Sequence, residues 1–266
     1  MRGFADFPAC ALADISVVLT DIDDTLTTDG HLSAHAYSAV ERLHAGGLLV
    51  VPVTGRPGGW CDLIARLWPV DAVVGENGAF YFRHDPVGGM IRVFAKPEFE
   101  RISDRARLDA LGASIVERVP RARVAADQRY READLAIDFA EDGPLLSARE
   151  IDQVVTCFTE AGATAKVSSI HVNGFYGGYD KLVMTRRLLR DAFGIDIEAD
   201  NRRILFVGDS PNDAPMFTFF HNSVAVANFR NFAESSQAQP KWITTRSGGA
   251  GFAEVADAVL AAQVQG

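Results

Sequence analysis

Three short runs constrain this chain more than anything else in it: Ile15-Ser16-Val17-Val18-Leu19-Thr20, residues 48–53 and Ile204-Leu205-Phe206-Val207. None carries a charge, and each is followed at once by a residue able to do chemistry: Asp21, Thr54 and, one glycine later, Asp209. An uninterrupted apolar run of this length reads as a strand buried on both faces, the pattern of a parallel sheet covered by helices. The intervening segments agree. A helical pattern runs from Ser33 through His44 and ends at Gly46-Gly47; another reaches Leu67, and a strand at 72–74 follows. Further on, 181–193 and 213–220 read as helices, 223–227 and 242–244 as short strands, and 252–262 as a closing amphipathic helix. Strand alternating with helix is the signature of an α/β fold with helices on both faces of the sheet.

The middle breaks this rhythm. From about residue 84 to 177 the chain is richer in charge and in Gly and Pro. It offers a strand at 91–94, a long helix at 97–118, and an alternating strand at Leu135, Ile137 and Phe139. A helix at 147–161 and strands at 164–167 and 169–172 follow. Alternation implies a sheet with one covered face. The expectation is a core of residues 1–83 and 178–266 carrying an inserted α+β domain of residues 84–177.

Composition closes off several functions. The net charge of −9 leaves no basic surplus to neutralise a nucleic-acid backbone, though a bound cation can reverse the field of an acidic site. Cys10, Cys61 and Cys157 are odd in number and form no CxxC pair, so neither a disulfide framework nor a structural zinc site is expected. No stretch approaches 18 uncharged apolar residues and no leader pattern opens the chain, so a soluble cytoplasmic protein with no membrane partner is expected.

In open parallel sheets ligands bind beyond the carboxyl ends of the strands, which is where the candidate chemistry lies. In Asp21-Ile22-Asp23-Asp24-Thr25 one carboxylate can attack phosphorus while its neighbour two residues on exchanges a proton with the leaving oxygen; the plain alternative is an acidic helix cap. In Thr54-Gly55-Arg56 a hydroxyl and exposed N–H groups suit a phosphate oxygen, and Gly55 allows close approach; an ordinary turn looks the same. Gly208-Asp209-Ser210-Pro211-Asn212-Asp213 places two more carboxylates at a helix start, which is favourable without any function. Gathering Asp21, Asp23, Asp209 and Asp213 in one pocket would raise their pKa values sharply unless a cation were present, and an all-oxygen ligand set points to Mg2+. Lys181, at a helix start where its charge opposes the dipole, could hold a carboxylate and a phosphate together.

Asp-x-Asp-x-Thr after a first strand, Thr after a second, a later Lys and Gly-Asp-Ser-x-Asn-Asp after another strand together resemble the haloacid dehalogenase-like (HAD) superfamily. That resemblance implies a Rossmann-like doubly wound α/β core with an inserted α+β cap. It makes Asp21 the nucleophile, Asp23 the general acid and base, and Thr54 and Lys181 phosphate ligands. Mg2+ would be held by Asp21, the Asp23 main-chain carbonyl and Asp209, with Asp213 nearby or through water; Asn212 would orient the substrate side of the loop. One helix and one strand fill the interval from Asp21 to Thr54, whereas the interval from Thr54 to Lys181 holds a cap. This placement resembles the type II B cap of sucrose-phosphate, mannosyl-3-phosphoglycerate and other sugar-phosphate phosphatases, as do Gly75-Glu76-Asn77-Gly78-Ala79 and Gly248-Gly249-Ala250-Gly251-Phe252. The implied activity is hydrolysis of a small phosphorylated metabolite, such as a sugar phosphate, by a monomer or homodimer. A phosphotransferase or mutase, or a non-catalytic regulatory or sugar-binding module, are the alternatives. Gly55, Arg56, His171, Asn173 and Tyr176 are candidate substrate contacts, each also readable as packing; the Trp68-Pro69 pair and Trp242 read as core.

Overall fold

A computed structural model describes residues 1–234, 236 and 238–265. Along the chain it runs β1 (Arg2–Gly3), α1 (Ala9–Ala13), β2 (Val17–Thr20), β3 (Thr27–Thr28), β4 (His31–Leu32), α2 (Ala34–Ala45), β5 (Leu49–Pro52), α3 (Gly58–Leu67), β6 (Val73–Gly75), β7 (Phe80–Asp85) and β8 (Gly89–Phe94). Then come α4 (Glu98–Arg118), β9 (Arg123–Val124), β10 (Leu135–Asp138), α5 (Ala148–Glu160), β11 (Thr164–Val167) and β12 (His171–Phe175). The chain closes with α6 (Lys181–Phe193), β13 (Ile204–Gly208), α7 (Ala214–Phe219), β14 (Asn222–Ala225), β15 (Trp242–Ile243) and α8 (Gly248–Gln265).

The core is the parallel sheet that the apolar runs predict, in the order β1-β15-β14-β13-β2-β5. Alternation along each strand feeds two separate layers. Val18, Leu205 and Val207 point into one with Phe252, Val255 and Val259 of α8; Val17, Leu19, Ile204 and Phe206 point into the other with Met184, Leu188 and Phe217 of α6 and α7. Burial on both faces is why these strands tolerate no charge. Register then brings the site together: Thr20 lies opposite both Pro52 and Val207, so β2, β5 and β13 end level.

Beyond β5, a parallel bridge from Val53 to Val74 joins the antiparallel sheet β6-β7-β8. Phe80 and Phe82 enter one core layer and Tyr81 the other. Residue 84, where the sequence reading starts the insertion, therefore lies within a hairpin that packs on the core, and the chain leaves the core only after Phe94. The insertion builds its own antiparallel sheet, β11-β12-β10-β9. Leu108 and Ile115 of α4 and Val154 and Phe158 of α5 cover one face of it. The strand expected at 169–172 begins instead at His171, because Ser168 Oγ accepts from the N–H groups of Ile170 and His171 and turns the chain there. The closing helix starts earlier than periodicity suggests, at Gly248. A Cβ on Gly249 would lie 2.6 Å from the Leu26 carbonyl oxygen, so those glycines let a helix pack where larger residues would collide. Trp242 packs at a tilt on Phe7, ring centroids 4.8 Å apart, and Trp68 meets Tyr37 edge-on, both as packing residues. Among the described residues no helix is long and apolar enough to cross a membrane.

Candidate active site

Asp21 leaves the end of β2 with its N–H on the Val207 carbonyl, fixed between two strands. Its Oδ1 accepts from the Ile22 N–H at 2.7 Å and its Oδ2 from Lys181 Nζ at 2.8 Å. Lys181 is the first residue of α6, and it is buried. A Cβ on Gly78, at φ +103°, would lie 2.0 Å from the Asp180 carbonyl oxygen, so only glycine lets the 76–78 turn press against this helix start. The Lys181 ammonium reaches Asp213 Oδ1 at 2.7 Å as well. Asp213 Oδ2 accepts from the N–H groups of Asp209 and Ser210. Asp209 is held by Thr25 Oγ1 at 3.3 Å and Asn228 Nδ2 at 3.1 Å.

Oxygens of Asp21, Asp209 and Asp213 all lie within 4.8 Å of one another. Burial pushes the Asp21 carboxyl up to about 7; Lys181 opposes this, while Asp213 and Asp23 add to it. Asp209 is raised well above the usual range by burial, then by Asp21 and Asp213. Burial works against the Lys181 charge too, but Asp21 and Asp213 more than offset it and hold its pKa above the ordinary lysine value. One ammonium among three buried carboxylates leaves a deficit of positive charge. The all-oxygen donor set suits a hard divalent cation such as Mg2+.

Asp23 behaves differently. Its Oδ1 accepts from Arg56 Nε at 2.8 Å and lies 2.6 Å from Nη2, so its side chain turns away from the other three carboxylates. The turn needs Asp24 at φ +53°, a left-handed conformation uncommon outside glycine. Thr54 is buried, its hydroxyl accepting from the Arg56 N–H at 3.1 Å. Gly55 abuts Asn77, whose Oδ1 accepts from Asn212 Nδ2 and whose Nδ2 is buried without a partner.

A narrow cavity of only about 10 Å3 opens over this floor, lined on the core side by Asp21, Asp23, Gly55, Arg56, Ser210 and Asn212. Its roof is the 168–171 turn with Asn173. Strand alternation explains this: Val172 faces the helices of the insertion, so His171 and Asn173 face the core. Asn173 donates to Asp134 Oδ2 at 2.9 Å. Tyr176 lies elsewhere, lining a small pocket with Lys96 and Asp104 under the Arg107 guanidinium.

Four residues the sequence reading gave no role join the insertion to this floor. Arg131, fully buried, donates to Asp127, to Asp134 and to the Gly55 carbonyl at 3.0 Å. The buried Glu76 carboxylate accepts from the N–H groups of Gly58, Glu132, Ala133 and Asp134. Asp127 lies 3.7 Å from Arg56 Nη1. Glu141 reaches Arg56 Nη2 at 2.7 Å and His171 Nε2 at 2.9 Å; despite burial, His171 and Arg56 hold its carboxyl down at about 2. Arg56 also lies 4.4 Å over the Trp60 ring. Nothing in the local pattern distinguishes these charges from solvated ones; only Glu76, within the Gly75–Ala79 stretch, stood in a segment already singled out.

Comparison with known proteins places this geometry. The family model described as haloacid dehalogenase-like hydrolase matches residues 18–107 and 178–254, leaving out most of the insertion. A phosphoglycolate phosphatase of Methanothrix thermoacetophila is 28% identical over 255 residues, spanning 93% of this chain and 98% of that protein. A solved Thermoplasma acidophilum protein superposes with a TM-score of 0.69 at 20% identity, over 92% of this chain and 98% of its own. The sucrose-phosphatase of Synechocystis sp., solved with sucrose and phosphate, gives 0.62 at 16% identity over 91% and 97%. At these identities the two solved structures speak to fold alone.

Proposed function

This chain belongs to the haloacid dehalogenase-like hydrolases and is a phosphatase, and we propose that it cleaves a small phosphate monoester by way of a transient phosphoryl group on Asp21. The observation that carries this reading is the Asp21 carboxylate, held beside Lys181 at the floor of an enclosed cavity. One Asp21 oxygen bonds to phosphorus as the bond from phosphorus to the leaving oxygen breaks, and Asp23 gives that oxygen its proton. Water then attacks the same phosphorus, Asp23 takes its proton, and the bond to Asp21 breaks. Lys181 keeps the nucleophile in place and sets positive charge against the phosphoryl oxygens. On this reading Thr54 Oγ1, the Gly55 N–H and Asn77 Nδ2, which is buried without a partner, donate to those oxygens. Arg56 fixes the direction of the Asp23 carboxyl.

Mg2+ fits the acidic cluster, with Asp21, Asp209 and the Asp23 carbonyl as its holders, and when bound it supplies charge against the phosphoryl oxygens. Asp213 anchors Lys181 and the 209–210 loop and would stand beside the ion, directly or through water. We read residues 97–175 as the specificity-bearing insertion. The cavity has room for no more than about one water, so the insertion must shift to admit any phosphate monoester; a short phosphorylated acid, as the name of the Methanothrix relative suggests, and a small sugar phosphate are the two candidate substrates. Three free cysteines suit a cytoplasmic setting.

The test is a phosphate-release screen over phosphorylated acids, sugars and nucleotides, with and without EDTA, using Asp21→Asn as the blank. Turnover should fall about a thousandfold or more in the variant, with its circular dichroism unaltered. Retained turnover would mean that another group attacks phosphorus; phosphate appearing on an added sugar instead of in solution would make the protein a transferase.

A further inference from the structure

Arg56 comes from the core and His171 from the insertion, and both are almost fully buried at 4% and 3% exposure. Between them sits one carboxylate, that of Glu141. Three carboxylates surround the Arg56 guanidinium, and they are not equally committed. Asp23 stands beside the nucleophile, and Asp127 is tied to Arg131. Glu141, whose side chain is 27% exposed, has no side-chain partner but Arg56 and His171 among the described residues. The fit is also incomplete. Arg56 Nη1 is buried without a hydrogen bond, the Asp127 carboxylate standing 3.7 Å away, and both Arg56 and His171 line the cavity above Asp21. A buried guanidinium nitrogen left without an acceptor beside a cavity calls for one.

Resting on the phosphatase reading, we propose that Arg56 and His171 form a subsite for a carboxylate carried by the substrate, and that Glu141 occupies it as an internal stand-in displaced when substrate enters. The group now held there is a carboxylate, with one oxygen 2.7 Å from Arg56 Nη2 and the other 2.9 Å from His171 Nε2, so the pair grips both oxygens of one carboxyl group. Arg56 Nη2 is shared by Asp23 Oδ1 at 2.6 Å and Glu141 Oε1 at 2.7 Å, so the subsite lies directly beside the carboxyl that protonates the leaving oxygen. That closeness suits a two- or three-carbon phosphorylated acid. A second anion cannot join Asp23, Asp127 and Glu141 around one cation without strong repulsion, so Glu141 must leave. Its partial exposure gives it a way out to solvent.

The experiment compares kcat/KM for phosphoglycolate with that for 2-hydroxyethyl phosphate, which replaces the carboxylate by a neutral hydroxymethyl group. The Mg2+-supplied parent enzyme should prefer the acid. Glu141→Gln weakens the internal competitor and should raise the preference severalfold. His171→Ala should lower it by about tenfold, the size of one charge-assisted hydrogen bond. A parent that turns over both esters without preferring the acid would overturn the subsite while leaving the phosphatase reading intact; a parent that turns over no ester fails that reading itself. Variants that slow both substrates equally, or leave the preference unmoved, would make Glu141 a structural tie and overturn the proposal.

Discussion

Replacing Arg131 by Met removes a guanidinium but keeps a long apolar side chain in its place. In the parent that guanidinium holds Asp127 at 3.1 Å, Asp134 at 3.0 Å and the Gly55 carbonyl at 3.0 Å, with none of its side chain exposed. Without it, among the described residues the Asp134 carboxylate keeps only the Asn173 amide and the Asp127 carboxylate only Arg56 at 3.7 Å. Removing one partner of a buried pair costs about 3–5 kcal/mol, mostly because the orphaned charge stays buried. With a urea slope of about 2 kcal/mol per M, the midpoint should fall by about 1.5–2.5 M. Circular dichroism reports the whole chain, and fluorescence reports Trp60, whose ring sits beside Arg56. Because the insertion has its own hydrophobic cluster, the loss should also appear as faster hydrogen exchange through 123–138 than through β2 and β13. Adding Asp127→Asn and Asp134→Asn to the Met variant should recover most of the lost stability. A Met variant within about 1 kcal/mol of the parent would put this cluster on the level of exposed ion pairs and refute the idea that it clamps the insertion to the Gly55 loop.

Magnesium affinity should depend on pH with a definite sign. The Asp21 carboxyl is raised to about 7, so at pH 6 a proton must leave before a cation can take its place; the apparent Kd should fall about tenfold from pH 6 to pH 8, and further because Asp209 is raised too. Calorimetry in two buffers of different ionisation enthalpy reads both the affinity and the protons released, and a pH-independent Kd would contradict the buried cluster. Gly78→Ala, with its Cβ driven into the Asp180 carbonyl at φ +103°, should cost at least about 2 kcal/mol and lower kcat by displacing Lys181. Parent-like stability and kcat would show that the start of α6 yields freely.

What was legible in the sequence follows burial on both faces. Val17 to Thr20, Val50 to Pro52 and Ile204 to Gly208 are enclosed by two core layers, so their apolar character is continuous and their ends are visible as the first polar residue. Chain direction and register then carry Asp21, Thr54 and Asp209 to one edge. The hairpin at 80–94 obeys the same rule but hides it, because Arg83, His84 and Asp85 at its tip look like departure from the core while Phe80, Tyr81 and Phe82 are already inside it. Asp23 shows a second limit: spacing from Asp21 says that two carboxylates are close in the chain, but the left-handed turn at Asp24 and the pull of Arg56 decide where the second one points. The deepest limit lies in residues 127–134. Arg129 and Arg131 stand two positions apart in the same charged stretch, yet one is exposed and the other lies buried against Gly55. Their difference is created by docking the insertion on the core, a contact between segments more than 70 residues apart. The same holds for Glu141, which pairs with His171 inside the insertion and meets Arg56 only when the core lies beneath it, a through-space neighbour that no local pattern marks.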